Sequence, residues 1–344
     1  MKFHLPTIQS WLAEGEPFAI ARVIKTWGAS PRPVGSIMLI KKDMTMVGSV
    51  SGGCIEGEVL RQAMEVLESN VPQRLDYGIS NEEAWSTGLS CGGRVSVWVE
   101  PFWAFAKKEN WWGALETALG QDKGCVLVSS LNEATPSDNL LFPDTSIAAT
   151  PLSESVHQKA LEALQAQQST IIEQEDQAWF IHVFPPKPQL LIIGAAHIAV
   201  DLVELAQSFG FSTSVIDPRG IFTQKTTFPT PPDQLLESYP AEVLPNFALD
   251  ANTYAVILSH DPKIDDNALE FLLPSRVRYI GALGSRKTQA KRVARLEAAG
   301  FSTDQIGRIH APIGLAIGAK GAREIALSIM AELIKIKNES SYRK

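Results

Sequence analysis

The sequence is defined first by what it lacks. Nowhere in its 344 residues is there an uninterrupted apolar run of the roughly 18 residues a membrane helix needs, and the start Met1-Lys-Phe-His-Leu-Pro-Thr7 has no apolar signal core. A soluble, cytoplasmic protein with no membrane partner is expected. Cysteine is scarce: Cys54, Cys91 and Cys125 are too few for a disulfide scaffold, and their odd number leaves at least one thiol free, which suits a reducing compartment. There is no C-x-x-C and no third thiol in a comparable loop, which argues against a structural zinc site. Basic residues are outnumbered, with 31 Lys and Arg against 38 Asp and Glu and a net charge of −7, so the footprint of a nucleic-acid partner is missing. No G-x-S-x-G elbow occurs, and the run Ser259-His260-Asp261 cannot form a through-space relay because its members are consecutive. Internal repeats and low-complexity tracts are also lacking.

What is present is an ordinary globular composition, 45% hydrophobic and 20% charged, in a chain long enough for two cores. All eight tryptophans precede residue 180, and Pro185-Pro-Lys-Pro188 follows at once. This predicts a domain at 1–184, a semi-rigid linker at 185–188 and a second domain at 189–344. In the first part, strand-like runs at 18–24, 36–40, 94–100 and 125–128 accompany helical spacing over 55–67 and 156–164, and a hairpin is expected from 170–172 and 178–184. In the second part, strands at 189–193, 213–217, 254–259 and 277–281 alternate with helices at 198–209, 264–273, 286–298 and 322–336. Such alternation calls for a parallel sheet covered on both faces. The fold class is therefore α/β: an N-terminal mixed α+β domain followed by a Rossmann-like parallel-sheet domain.

The most informative segment is Gly48-Ser-Val-Ser-Gly-Gly-Cys-Ile-Glu-Gly-Glu58, which sets a thiol between a glycine-rich turn and the start of a helix. Gly52 and Gly53 free the backbone to expose N–H groups, and the helix dipole adds positive potential, so a small anionic ligand is expected beside Cys54. The helix start favours the thiolate, while Glu56 and Glu58 oppose it. A tight turn around a buried cysteine is the plain structural alternative. Ser86-Thr-Gly-Leu-Ser-Cys-Gly-Gly93 places Cys91 in a second glycine-rich turn, and the two thiols could together hold a soft metal or a sulfur in transit. Cys125 sits in an apolar strand and reads as core.

Leu191-Ile-Ile-Gly-Ala-Ala-His-Ile-Ala199 puts Gly194 at a strand-to-helix turn suited to a nucleotide phosphate, and Asp217, 23 positions on, is placed to bind a ribose hydroxyl. Ala196 adds a methyl where a second glycine would let pyrophosphate approach, which weakens a conventional NAD site. His197, His260 and Asp261 fall at the same carboxyl edge and could line one crevice with Asp217, or serve as turn residues and caps. Gly281-Ala-Leu-Gly-Ser-Arg-Lys287 offers Ser285 as an N-cap with Arg286 beside it, fitting either an anion or a plain capped helix. His310 to Lys320 is a glycine-punctuated apolar loop.

In this order the segments resemble the XdhC/CoxI family of accessory proteins for molybdenum hydroxylases. Ala29-Ser-Pro-Arg-Pro-Val-Gly35, Gly48 to Glu58 and Gly88-Leu-Ser-Cys-Gly-Gly93 resemble its N-terminal domain. Ile192 to Leu202, Val215 to Arg219, Leu258 to Asp261, Gly281 to Lys287 and His310 to Gly318 resemble its Rossmann domain. Residues 105–180 carry little of the likeness. The resemblance implies a chaperone rather than a turnover enzyme, one that binds the molybdenum–pterin cofactor (molybdopterin, with or without an added nucleotide), supports its sulfuration and inserts it into an apo-hydroxylase such as xanthine dehydrogenase. It also implies a cysteine desulfurase as sulfur donor. Cys54 and Cys91 are its first choices for the metal end, with Arg32 and the Gly52-Gly53 turn nearby. Ala196, and Gly321-Ala322 in place of a Thr-Pro, depart from the family pattern. The rival readings are an NAD-dependent oxidoreductase built on the Rossmann-like half and a pure scaffold between desulfurase and target. A homodimer is the default assembly.

Overall fold

The computed structural model of the chain describes residues 1–28, 32–78, 93–102, 111–133, 137–143, 145–148, 151–174, 177–220 and 228–342. It divides into two compact units, Met1–Pro186 and Lys187–Lys344.

In the first unit, strands β1 (Phe18–Trp27), β2 (Ile37–Lys41), β3 (Met46–Gly48), β4 (Gln73–Gly78) and β5 (Arg94–Pro101) form an antiparallel sheet in the order β3-β2-β1-β5-β4. A second antiparallel sheet has the order β8-β7-β6-β10-β9, from β6 (Cys125–Ser130), β7 (Asp138–Leu141), β8 (Ser146–Ala148), β9 (Thr170–Gln174) and β10 (Gln177–Phe184). Alternation along the strands sorts their side chains. Ala19, Ala21 and Val23 of β1 meet Val59, Ala63 and Val66 of helix α2 (Glu56–Ser69), the small alanines letting the helix lie close. Phe18 and Ile20 turn the other way, toward Cys125, Leu127 and Phe184 of the second sheet and toward helices α1 (Leu5–Glu14) and α3 (Trp111–Gly120). On the far face of that sheet, Val126, Val128, Ile181 and Val183 pack on helix α4 (Glu154–Ala166). The layer between the sheets is not wholly apolar. Arg22 of β1 donates to Ser129 Oγ at 2.8 Å and pairs with Glu100 at 2.6 Å, and Ser129 donates to Asp138 at 2.5 Å.

The second unit is a six-stranded parallel sheet in the order β13-β12-β11-β14-β15-β16, made of β11 (Gln189–Ile193), β12 (Ser212–Ile216), β13 (Gln234–Leu236), β14 (Thr253–Ile257), β15 (Tyr279–Ala282) and β16 (Ile309–His310). Helices α5 (His197–Ser208) and α8 (Ala322–Tyr342) cover one face, where Leu202, Val203, Ile329 and Leu333 pack on Leu190, Ile192 and Val256. Helices α6 (Pro262–Leu272) and α7 (Arg286–Ala298) cover the other, with Ile264, Leu269 and Leu296 against Leu191, Ile193 and Ile257. Burial on both faces explains why these strands read as unbroken apolar runs. Strand order reverses between β11 and β14, so a crevice site is expected beyond their carboxyl ends.

The mixed first part and the parallel second part agree with the sequence reading. Apolar spacing does not mark α1, α3 or the short strands β3, β4, β7, β8, β13 and β16. These are brief, or carry bulky aromatics on more than one side.

Candidate functional site

The turn leading into α2 folds around its own carboxylate. Glu56, the first residue of the helix and buried, accepts from Ser49 Oγ at 2.6 Å, from the backbone N–H groups of Ser51 at 2.9 Å, Gly52 at 3.0 Å and Gly53 at 2.9 Å, and from the Ser51 hydroxyl. Gly52 and Gly53 adopt φ of +84° and +118°, which a residue with a Cβ would resist, and this turns both N–H groups inward. Burial alone would raise the Glu56 pKa. The Ser49 and Ser51 hydroxyls and the Ser51 N–H outweigh it and bring the pKa down to about 2. The donors expected to receive an external anion are thus engaged by an internal one. Sequence reasoning counted Glu56 only as an opposing charge. The signal for its role was present, a carboxylate three residues beyond paired glycines at a helix start.

What the turn presents outward is the thiol. Cys54 is exposed, its N–H donating to Ser51 Oγ at 3.0 Å, and Glu58 is drawn aside by Arg61 at 2.6 Å. Cys91 and the rest of 79–92 lie outside the described residues, as do 29–31 of the first motif. Arg32 is described; it is exposed and lines a cleft with Gly48 and Ser49. Cys125 is fully buried, and burial pushes its pKa up to about 12. Among the described residues, no group of three or more His, Cys, Asp or Glu side chains is arranged to hold a metal ion, and no helix is long and apolar enough to cross a membrane.

In the second unit, the remaining predicted residues gather at the carboxyl edge of the sheet. Gly194 follows β11 with φ +104°, and a Cβ there would lie 2.7 Å from the Ser259 backbone nitrogen. Glycine is therefore required to bring the two strand ends together. Ser259 is itself fixed by its hydroxyl bond to the Asp265 carboxylate, which pairs with buried Arg292 at 3.1 Å. Asp217 has no exposed surface. It accepts from the Ala195 N–H at 2.8 Å and is clamped by Arg219 through Nε at 2.9 Å and a second guanidinium nitrogen at 2.7 Å. Burial would raise its pKa, but Arg219 and the Ala195 N–H hold it below the ordinary range. This carboxylate is committed to the protein's own groups, a poor fit to the ribose partner of a conventional NAD site. His197, the first residue of α5, is exposed, and so is His260, which takes φ +61°. Asp261 caps α6 by accepting from Lys263 N at 2.9 Å, and Ser285 caps α7 by accepting from Thr288 N at 3.2 Å, with Arg286 exposed beside it. The loop after β16 is fastened by Glu332, which accepts from Tyr279 Oη at 2.6 Å and Gly314 N at 2.7 Å and meets His310 Nδ1 at 3.0 Å.

Two family descriptions match these two regions, the XdhC and CoxI family over residues 11–78 and the XdhC Rossmann domain over 190–333, together more than half of the chain. The chain belongs to the XdhC and CoxI family. It is 29% identical to a probable xanthine dehydrogenase subunit of Bacillus subtilis (strain 168), over 95% of this chain and 96% of that protein. It is 22% identical to the molybdenum cofactor insertion chaperone PaoD of Escherichia coli (strain K12), over 95% and 85% respectively. A crystal structure of a xanthine dehydrogenase from Bacillus halodurans superposes with a TM-score of 0.74 at 29% identity, covering 99% of this chain and 96% of that one. The two family matches taken together, and each of these relatives by itself, span both the thiol turn and the β11–β14 crevice.

Proposed function

We propose that this member of the XdhC and CoxI family is an accessory protein that carries the molybdenum–pterin cofactor as cargo. It supports exchange of a metal-bound oxo group for sulfur and delivers the cofactor to an apo molybdenum hydroxylase of the xanthine dehydrogenase kind. The observation that carries this reading is the exposed Cys54 on a turn locked by Glu56. A soft thiol held on a rigid backbone suits a molybdenum–sulfur centre, whereas the filled turn leaves few donors there for a free phosphate. Cys54 and Cys91 are assigned to the metal end, with Gly52, Gly53 and Arg32 around them. The Rossmann-like edge, with Gly194, His197, His260, Asp261, Ser285 and Arg286, is assigned by itself to a nucleotide or phosphate group, and Asp217 to shaping that edge through Ala195. A cysteine desulfurase supplies the sulfur, and the chain works in the cytoplasm as a homodimer. The relative described as a cofactor insertion chaperone supports the same role.

The test is cofactor content. Protein from cells making molybdopterin should carry pterin that fluoresces after oxidation, and Cys54→Ala should retain less of it and mature less hydroxylase activity. Bound NAD with NAD-dependent turnover of an alcohol or aldehyde would instead establish an oxidoreductase. Normal maturation by the Cys54→Ala, Cys91→Ala double variant would establish a scaffold that holds no cargo.

A further inference from the structure

The polar layer between the two sheets of the first unit holds two carboxylates, Glu100 of β5 and Asp138 of β7, against the single guanidinium of Arg22 on β1, and all three are buried. Glu100 Oε1 lies 2.6 Å from Arg22 Nη2, and its Oε2 accepts from Trp98 Nε1 at 3.0 Å. Arg22 Nη1 donates to Ser129 Oγ at 2.8 Å, and Ser129 in turn donates to Asp138 Oδ1 at 2.5 Å. Two negative charges facing one positive charge out of water are costly, and one bound proton removes the imbalance.

The same groups wall a small cavity. Its volume is about 10 Å³, room for one water, and Arg22, Glu100 and Asp138 line it together with Trp111 at the start of α3. Ile20, Phe102 and Leu127 make up an apolar remainder of the wall. Two buried donors on these lining residues, Arg22 Nε and Trp111 Nε1, have no hydrogen-bond partner among the described residues. A water molecule has two lone pairs and two hydrogens. Two unpartnered donors and two carboxylates are the complement of one such molecule, and buried polar atoms of this kind are rarely left without a partner.

We propose that this cavity holds one buried water and that, through it, Glu100 and Asp138 share a single proton taken up from solvent. Burial raises both carboxyls, bringing Glu100 to about 7, while Arg22 pulls both down. The other titratable groups at the layer do not compete for the proton near pH 7: burial holds His182 of β10 well below its ordinary range and brings the Met1 amino group, on the cavity wall, down to about 6. Trp98 and Ser129 each fix one carboxylate oxygen, so the proton passes by turning the water rather than a side chain. The site belongs to the fold of the first unit and stands independently of the cargo reading.

The experiment is NMR of the full chain with isotope-labelled tryptophan indoles and Asp and Glu carboxyls, the signals being identified with Trp111→Phe, Glu100→Gln and Asp138→Asn. The Trp111 indole N–H should show a dipolar cross-peak to water. The Glu100 and Asp138 carboxyl signals should move together in one step near neutral pH, with amplitudes that add up to one proton. Asp138→Asn removes the like charge and should weaken proton binding at Glu100 about tenfold or more. The two wild-type measurements decide the proposal even where a variant fails to fold. It is overturned by a Trp111 indole without contact to water, by carboxyls that titrate in separate steps or carry no proton between about pH 5 and about pH 9, or by an unchanged Glu100 midpoint in folded Asp138→Asn.

Discussion

Replacing Glu56 by glutamine tests whether the Cys54 turn is built on an internal anion. A depression of the carboxylate pKa from 4.5 to about 2 corresponds, at roughly 1.4 kcal/mol per unit, to about 3 kcal/mol. Solvent at the rim of the turn reduces this to about 2–3 kcal/mol. Glutamine keeps one acceptor oxygen but points an NH2 at N–H donors, so most of that stabilisation should be lost, lowering the melting temperature of the first unit by roughly 5–10 °C. The pH dependence has a definite sign. Because the folded pKa lies below the unfolded one, the contribution is fully present above about pH 5 and disappears as pH falls toward 2. The gap between wild type and Glu56→Gln should therefore be full at pH 7 and close on acidification. The assay is denaturation followed by tryptophan fluorescence, which reports on this unit alone because all eight tryptophans lie before residue 180. A second readout is the rate at which Cys54 reacts with a disulfide reagent, which should change as the turn loosens. A stability difference below about 0.5 kcal/mol at pH 7, or one that does not vary with pH, would falsify the internal-anion account.

Three further outcomes are expected. In a Cys91→Ala background, a thiol reagent at pH 8 should modify one cysteine in the folded chain, Cys54, and a second only on denaturation, because Cys125 is buried with its pKa pushed up to about 12. Glu100 lies in the inter-sheet layer, where burial and the neighbouring Asp138 outweigh Arg22 and raise its pKa to about 7. A folded pKa above the unfolded one costs stability as pH rises from 4.5 through 7, and buried Asp138 is shifted the same way, so tryptophan-monitored stability should decline over that window in wild type and less steeply in Glu100→Gln. In the second unit, Arg219→Met leaves the fully buried Asp217 carboxylate with the backbone N–H groups of Ala195 and of residue 219 but no cation, and should cost about 2–3 kcal/mol in urea denaturation followed by circular dichroism.

Much of the architecture was legible because burial leaves a period in the sequence. The alternation of Ala19, Ala21 and Val23 with Phe18 and Ile20 announces a strand between two apolar layers, and the unbroken runs at 189–193 and 253–257 announce strands covered on both sides. Helix α3 was not legible, because Trp111 and Trp112 together with Gly113 blur its spacing. The site was legible in part. The glycine turn and its thiol could be picked out, since paired glycines at a helix start have few other uses. That Glu56 fills the turn was signalled only by its place three residues beyond the paired glycines, and the path of the turn decided that it folds back on its own backbone rather than facing solvent. His4 and His182 carried no motif; they stand 178 positions apart, and only the seating of the His4 ring against Gly48 and of the His182 ring against Gly35 brings them into one wall of the cleft that Arg32 lines.

By itself, then, the order of residues determined the two kinds of sheet, the helices that cover them, the position of Gly194 at a strand end and the presence of a thiol in a tight turn. These follow from local periodicity and from the backbone freedom of glycine, which act over a few residues. Tertiary structure alone decided which distant charges meet: Arg22 with Glu100 across the sheet, Asp265 with Arg292, and two histidines with Arg32 around one cleft. Electrostatic partners are chosen by distance and burial in space, and neither is written in the spacing of the chain.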